Sequence, residues 1–241
     1  MRKASSIVVK RPRSGGRILL TLGLVVLLVS GPLSHAEEPT HELARFVPGE
    51  HSLENLIRFP ELEQNGDVTI FCSIQVWRSG ELRYNNCFGA QASGNVRAFQ
   101  DAVSDAAQLA KATPATMSGK KVKVRMQYRV EFAGSADDAS ISVYPNWGID
   151  SDRFGPSYEA PQRRESNYYP EMCAARARVA ITVKETGQAA SDLSFEVIEG
   201  EFGPGGQCER GIERFYDWAE FIPGRHQGQA IESTFVEIWG F

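Results

Sequence analysis

Four landmarks recur along this chain at nearly one spacing, and that recurrence constrains the fold more than any single motif. Phe59-Pro60-Glu61 is matched by Tyr169-Pro170-Glu171 at an offset of 110. Gly80 is matched by Gly187 at 107, Pro114 by Pro223 at 109, and Phe132 by Phe241 at 109. Gly119 and Gly228 each fall five residues past their proline. A period of this size reads as one structural unit used twice, with its elements in the same order each time.

Hydropathy supplies those elements. In the first copy Val68, Ile70, Cys72, Ile74 and Val76 alternate with polar neighbours, the period of a half-buried strand. Ser79-Gly80 is turn chemistry, and a weaker strand follows from Leu82 to about Phe88. Val96, Phe99, Val103, Ala106 and Ala110 then recur at helical spacing, and Pro114 lies beyond the helix end. Alternation returns from Val122 to Phe132. The second copy repeats the order: Val179, Ile181 and Val183; a turn at Thr186-Gly187; Leu193, Phe195 and Val197; a helix marked by Ile212, Phe215 and Ala219; Pro223; and a last strand from about Ala230 to Phe241. The expected fold class is α+β: two tandem β-β-α-β units, each a small antiparallel sheet with one helix packed on a face. Expected boundaries are a signal peptide (1–36), a polar lead-in (37–51), domain one (52–132), a linker (133–161) and domain two (162–241). The linker is rich in Gly, Ser, Asp and Pro, although 141–147 is apolar enough to pack.

The N-terminus reads as an address. Six basic residues and no acidic one occupy residues 1–36, all six ahead of an apolar run at 18–30. Gly31-Pro32 and Ser34-His35-Ala36 then supply a break and small residues before a cleavage point. A retained inner-membrane anchor is the alternative, with the same topology. Export to the periplasm is therefore expected by either route. Without that segment the net charge of −4 becomes −10, which argues against nucleic acid as a partner.

Export also interprets Cys72, Cys87, Cys173 and Cys208 as two disulfides. Cys72 and Cys87 flank the first hairpin and would lie opposite each other, with a bulge near Arg83-Tyr84 reconciling the core face. Cys173 and Cys208 would then pair, while crossed pairing between the copies stays open. No C-x-x-C occurs, and His41, His51 and His226 have no zinc spacing, so neither metal nor cofactor is expected. Gly203-Pro204-Gly205-Gly206 lacks the lysine of a phosphate loop. No nucleophile, base or carboxylate pair forms a catalytic constellation, so the chain is not expected to be an enzyme.

The second copy resembles the C-terminal domain of TonB, the periplasmic end of an energy transducer. The resemblance lies in Tyr169-Pro170, the strand 178–183 with Gly187, Tyr216-Asp217-Trp218, Phe221-Ile222-Pro223-Gly224, Gly228 and the closing strand to Phe241. The first copy matches more loosely through Phe59-Pro60, Gly80, Ala112-Thr113-Pro114-Ala115 and Gly119. In that family the domain captures an extended segment of an outer-membrane transporter by strand addition at a sheet edge. The resemblance therefore implies edges at 122–132 and 231–241, with Tyr169, Pro170, Ile231, Ser233, Phe235, Val236, Glu237 and Ile238 at the partner site. It implies a cell-envelope protein partner and a role in transmembrane transport. The chain departs from the family in its doubling, its cysteines, Tyr168 where glutamine is usual, and the lack of a long Pro-rich spacer. Two rival functions follow: an assembly protein whose two last strands pair with each other, and a true transducer if the N-terminal segment is retained.

Blander readings stand beside these. Tyr169-Pro170 serves equally to fix strand entry and cover an edge. Trp218 and Trp239 read as core residues. Arg163-Arg164 with Arg176 and Arg178 reads as a solvated basic face, or as a docking patch for an acidic partner.

Overall fold

The computed structural model describes residues 40–60, 67–89, 96–134, 138–166, 175–190, 192–201 and 206–239. Residues 37–241 form one compact unit. The expected signal segment, Met1–Ala36, lies outside the described residues.

Two short strands, β1 (His41–Glu42) and β2 (Arg45–Phe46), precede a helical turn, α1 (Leu53–Leu56). The Ser52 hydroxyl caps that turn by accepting from the Asn55 N–H at 3.2 Å. The alternating segment becomes β3 (Val68–Val76), and the weaker one becomes β4 (Leu82–Gly89). The hairpin between them is a three-residue loop, Arg78-Ser79-Gly80, rather than a two-residue turn at Ser79-Gly80. The Gly80 N–H donates to Trp77 O, the Trp77 N–H donates to Glu81 O, and Gly80 sits at φ +84°. Such a loop ends on a left-handed residue, which glycine adopts without cost. It shifts the pairing by one, and a bulge around Tyr84 and Asn85 restores the register so that Cys72 faces Cys87. A disulfide joins those two residues.

Helix α2 (Val96–Leu109) follows the helical pattern of the sequence and buries Val96, Phe99, Val103, Ala106 and Ala107. Strands β5 (Ala112–Thr113), β6 (Thr116–Met117) and β7 (Lys120–Lys121) then return the chain to β8 (Val124–Ala133). The first core lies between α2 and the sheet order β4-β3-β8, where the Phe99 and Phe132 rings meet at 4.7 Å.

The stretch expected as a linker carries structure instead. It contains β9 (Ser140–Pro145), α3 (Ser151–Phe154) and β10 (Tyr158–Glu159). Strand β9 pairs with β8 from Tyr128 to Ala133, and β11 (Gln162–Arg164) pairs with β8 at Val124 and Arg125. The edge that the resemblance implied at 122–132 is therefore closed from within the chain. The reason is physical: an unpaired edge next to a short polar hairpin is satisfied by the nearest backbone able to reach it.

Strands β12 (Arg176–Val183) and β13 (Ser194–Glu199), helix α4 (Gln207–Asp217), and strands β14 (Phe221–Ile222), β15 (Gly224–His226), β16 (Gln229–Ile231) and β17 (Ser233–Trp239) complete the chain. The expected single last strand is thus broken at Glu232 into β16 and β17. Strands β13, β12 and β17 form a three-stranded antiparallel sheet in that order. Its second core packs Val179, Ile181, Val183 and Phe235 against Ile212, Phe215 and Tyr216 of α4. The protein is thus a mixed α+β molecule built mainly of small antiparallel sheets.

Candidate binding site at the last strand

Among the described residues β17 pairs only with β12, in register from Trp239 against Ala177 to Ser233 against Val183. Backbone polar groups in an antiparallel strand point alternately to either side. The Thr234 N–H points away from β12, because it donates to the Asp150 carboxylate at 2.6 Å. Period two then sends the N–H and C=O of Val236 and Ile238 to the same outward side. These are the unpaired groups of a sheet edge. Asp150 closes the start of that edge, and among the described residues no strand pairs with the rest of it, at Val236 and Ile238.

The side chains of Val236 and Ile238 enter a cleft of about 820 Å³. One wall is the face of the second sheet turned away from α4: Arg176 and Arg178 of β12, Glu196 and Ile198 of β13, and Val236 and Ile238 of β17. The other wall is mainly the face of the first sheet turned away from α2, where Phe71 stacks on Phe88 at 5.5 Å and meets Trp147 at 4.8 Å. An apolar, aromatic-lined concavity beside an open edge is the arrangement that receives an extended segment: main-chain bonds at the edge, side chains into the hollow.

Behind β17 lies a buried ionic cluster. Arg163 of β11 is fully buried and donates through Nε and Nη2 to the two carboxylate oxygens of Glu237, each at 2.9 Å. Arg125 of β8 donates to Glu165 at 2.9 Å and stands 3.6 Å from Glu237. The Tyr216 hydroxyl donates to Glu237 at 2.9 Å and accepts from Trp239 Nε1 at 3.1 Å. Burial acts to raise the Glu237 pKa, but the guanidiniums of Arg163 and Arg125 and the hydrogen bonds outweigh it. The carboxyl stays below its ordinary 4.5. Burial, reinforced by the Glu237 charge, pushes the Tyr216 hydroxyl well above its usual range, so it stays a neutral donor.

The expected partner residues separate accordingly. Val236 and Ile238 lie on the cleft face and open edge. Ser233, Phe235 and Glu237 are buried on the opposite face, toward α4. Ile231 belongs to β16, which pairs with β15. Tyr169 and Pro170 lie outside the described residues, as does Cys173, while Cys208 is disulfide-bonded. The basic face does not form as one patch: Arg163 is interior, Arg164 pairs with Glu220, and only Arg176 and Arg178 reach the cleft. Trp239 is buried, but Trp218 is 84% exposed, because α4 ends at Asp217 and its apolar face ends with it. The last strands β8 and β17 belong to different sheets and do not pair with each other among the described residues, so the expected self-pairing is not formed.

Sequence reasoning missed Phe71, Phe88 and Trp147. A signal existed for the first: Phe71 sits on the off-beat of the β3 alternation, where a polar residue is the rule. Asp150 had no signal, since its target is 84 residues away. No family model matches the chain, and neither a curated protein nor a solved structure matches it.

Proposed function

We propose that this is an exported envelope protein with two TonB-C-like units, which binds an extended segment of an outer-membrane protein by strand addition at β17, without catalysis. The observation that carries the reading is the side of β17 at Val236 and Ile238, which pairs with no strand among the described residues and is bordered by an apolar cleft.

The tandem interpretation draws on matching details. The two sheets run second–first–last, as β4-β3-β8 and as β13-β12-β17. The Ala112 N–H donates to Gly80 O, and the Phe221 N–H donates to Gly187 O. A lead-in strand pairs just after each helix, β2 with β5 and β11 with β14. Ser118-Gly119 and Gln227-Gly228 both turn at positive φ, the mirror-image geometry favoured in tight hairpins. Read this way, β9 on β8 is an internal example of what a partner segment does on β17: an antiparallel strand laid on the outward side of a last strand. Export fits the disulfide between Cys72 and Cys87. N-terminal sequencing of the exported protein separates this reading from a retained anchor.

Val236→Pro is the discriminating variant. Its N–H points outward, so proline removes an edge donor and leaves the ladder to β12 intact. Affinity capture from a detergent-solubilised envelope extract should retain outer-membrane transporters on the native, oxidised protein. The variant should lose them while its thermal unfolding stays unchanged. Equal retention by both proteins, or loss of a native dimer in the variant, would overturn strand addition to a foreign segment.

A further inference from the structure

The cleft holds more than a strand edge requires. Its volume of about 820 Å³ lies within the roughly 300–1,000 Å³ of small-molecule sites. Large apolar side chains line it, among them Phe71, Phe88, Trp147, Ile198, Val236 and Ile238. Its charge is unbalanced. Three guanidiniums, from Arg97, Arg176 and Arg178, line the cleft with the carboxylate of Glu196, while the carboxylate of Glu237 turns to Tyr216 on the α4 face. Glu196 pairs with Arg178 at 3.2 Å, and Glu237 pairs with Arg163. Arg176 forms no ion pair among the described residues, and Arg97 has only a 4.0 Å contact with Asp101 on an exposed helix face. A cationic excess on an apolar hollow is uncommon in a chain whose net charge is −4.

We propose that the cleft binds a single-chain anionic amphiphile, an alkyl chain bearing a carboxylate or phosphate head. The chain lies between the Phe71–Phe88–Trp147 wall and the Ile198, Val236 and Ile238 wall, where it removes apolar surface from water on both sides. The head meets Arg176 and Arg178, whose planar guanidiniums donate a forked pair of hydrogen bonds to either oxyanion. This site does not depend on segment capture at the β17 backbone edge, and its test uses no protein partner.

Isothermal titration of the folded, oxidised protein with dodecanoate, dodecyl phosphate and dodecyltrimethylammonium, each below its micelle concentration, tests the proposal. Both anions should bind with unit stoichiometry, at least tenfold tighter than the cation. The stronger of the two anions names the head group. The double variant Arg176→Gln/Arg178→Gln should lose at least tenfold for the anions and close the gap to the cation. Phe71→Ser should weaken all three probes together. If the double variant does not fold, Arg176→Gln alone serves, since it breaks no ion pair. Head-group-independent binding, undiminished affinity in the folded arginine variant, or no binding of either anion would overturn the proposal.

Discussion

Glu237 is held as a carboxylate in a place where burial opposes its charge. The two hydrogen bonds from Arg163, the nearby Arg125 and the Tyr216 hydroxyl satisfy it. Removing one charge of such a pair leaves the other stranded in low dielectric, typically at a cost of about 3–5 kcal/mol. Glu237→Gln should therefore destabilise the protein by about that amount in urea unfolding. The pH dependence has a definite sign. The Glu237 pKa is lowered in the folded state, so its contribution is fully present above the unfolded value near 4.5 and is lost as pH falls through the lower folded value. The native protein should lose stability on acidification below about pH 4.5, and the Gln variant should show a shallower slope there. None of this was legible in the sequence. Arg163 stands beside Arg164 and reads as half of a surface pair, because its true partner is 74 residues further on. Charge runs report exposure only when nothing distant comes to meet them.

The elements that could be read are those whose own period announces a face. Strands β3 and β8 alternate over nine and ten residues, and α2 carries its stripe for fourteen. The disulfide could be read for the same reason, since strand register fixes which residues meet. Strands β9, β10 and β11 could not, being two to six residues long in a Gly-, Ser- and Pro-rich context where pairing, not pattern, makes the strand. Gly80 and Gly187 were legible as turn residues, but their packing was not. A Cβ on Gly80 would sit 2.2 Å from Ala112 O, and one on Gly187 would sit 2.3 Å from Phe221 O. Both residues also hold positive φ, which costs other residues about 1–2 kcal/mol. Gly80→Ala and Gly187→Ala should each destabilise by about 2 kcal/mol or more. The two values should be similar, because both glycines meet a backbone carbonyl at nearly the same distance, and thermal unfolding of the two variants checks it. Reducing the Cys72–Cys87 bond, which closes a 15-residue loop, should cost about 3 kcal/mol, measured as the shift in urea midpoint.

At the scale of the whole molecule the question is why two sheets with separate hydrophobic cores should behave as one. Strand β11 is shared: it pairs with β8 on one side and β14 on the other. Ile222 of β14 packs into the first core rather than the second. The buried Gln162 side chain accepts from the Ala44 N–H at 2.9 Å and donates to Ala44 O at 2.9 Å, completing a backbone-like pair across the halves. The ionic cluster joins the same elements, with Arg125 on β8, Arg163 on β11 and Glu237 on β17. Two couplings therefore run in parallel, one through backbone pairing and one through charge. A double replacement separates them. Arg163→Met/Glu237→Leu removes the Arg163–Glu237 pair with its longer contacts to Glu165 and Arg125 and leaves apolar groups of similar volume, while Arg125 keeps its 2.9 Å bond to Glu165. Replacing a buried pair this way is generally neutral or stabilising, whereas Arg163→Met alone strands the Glu237 carboxylate. Differential scanning calorimetry should show one transition in the native protein. It should still show one in the double variant, because β11 continues to bridge the sheets, and the single variant should be less stable by about 3–5 kcal/mol. Splitting into two transitions in the double variant would locate the coupling in the charges and make β11 a passive strand.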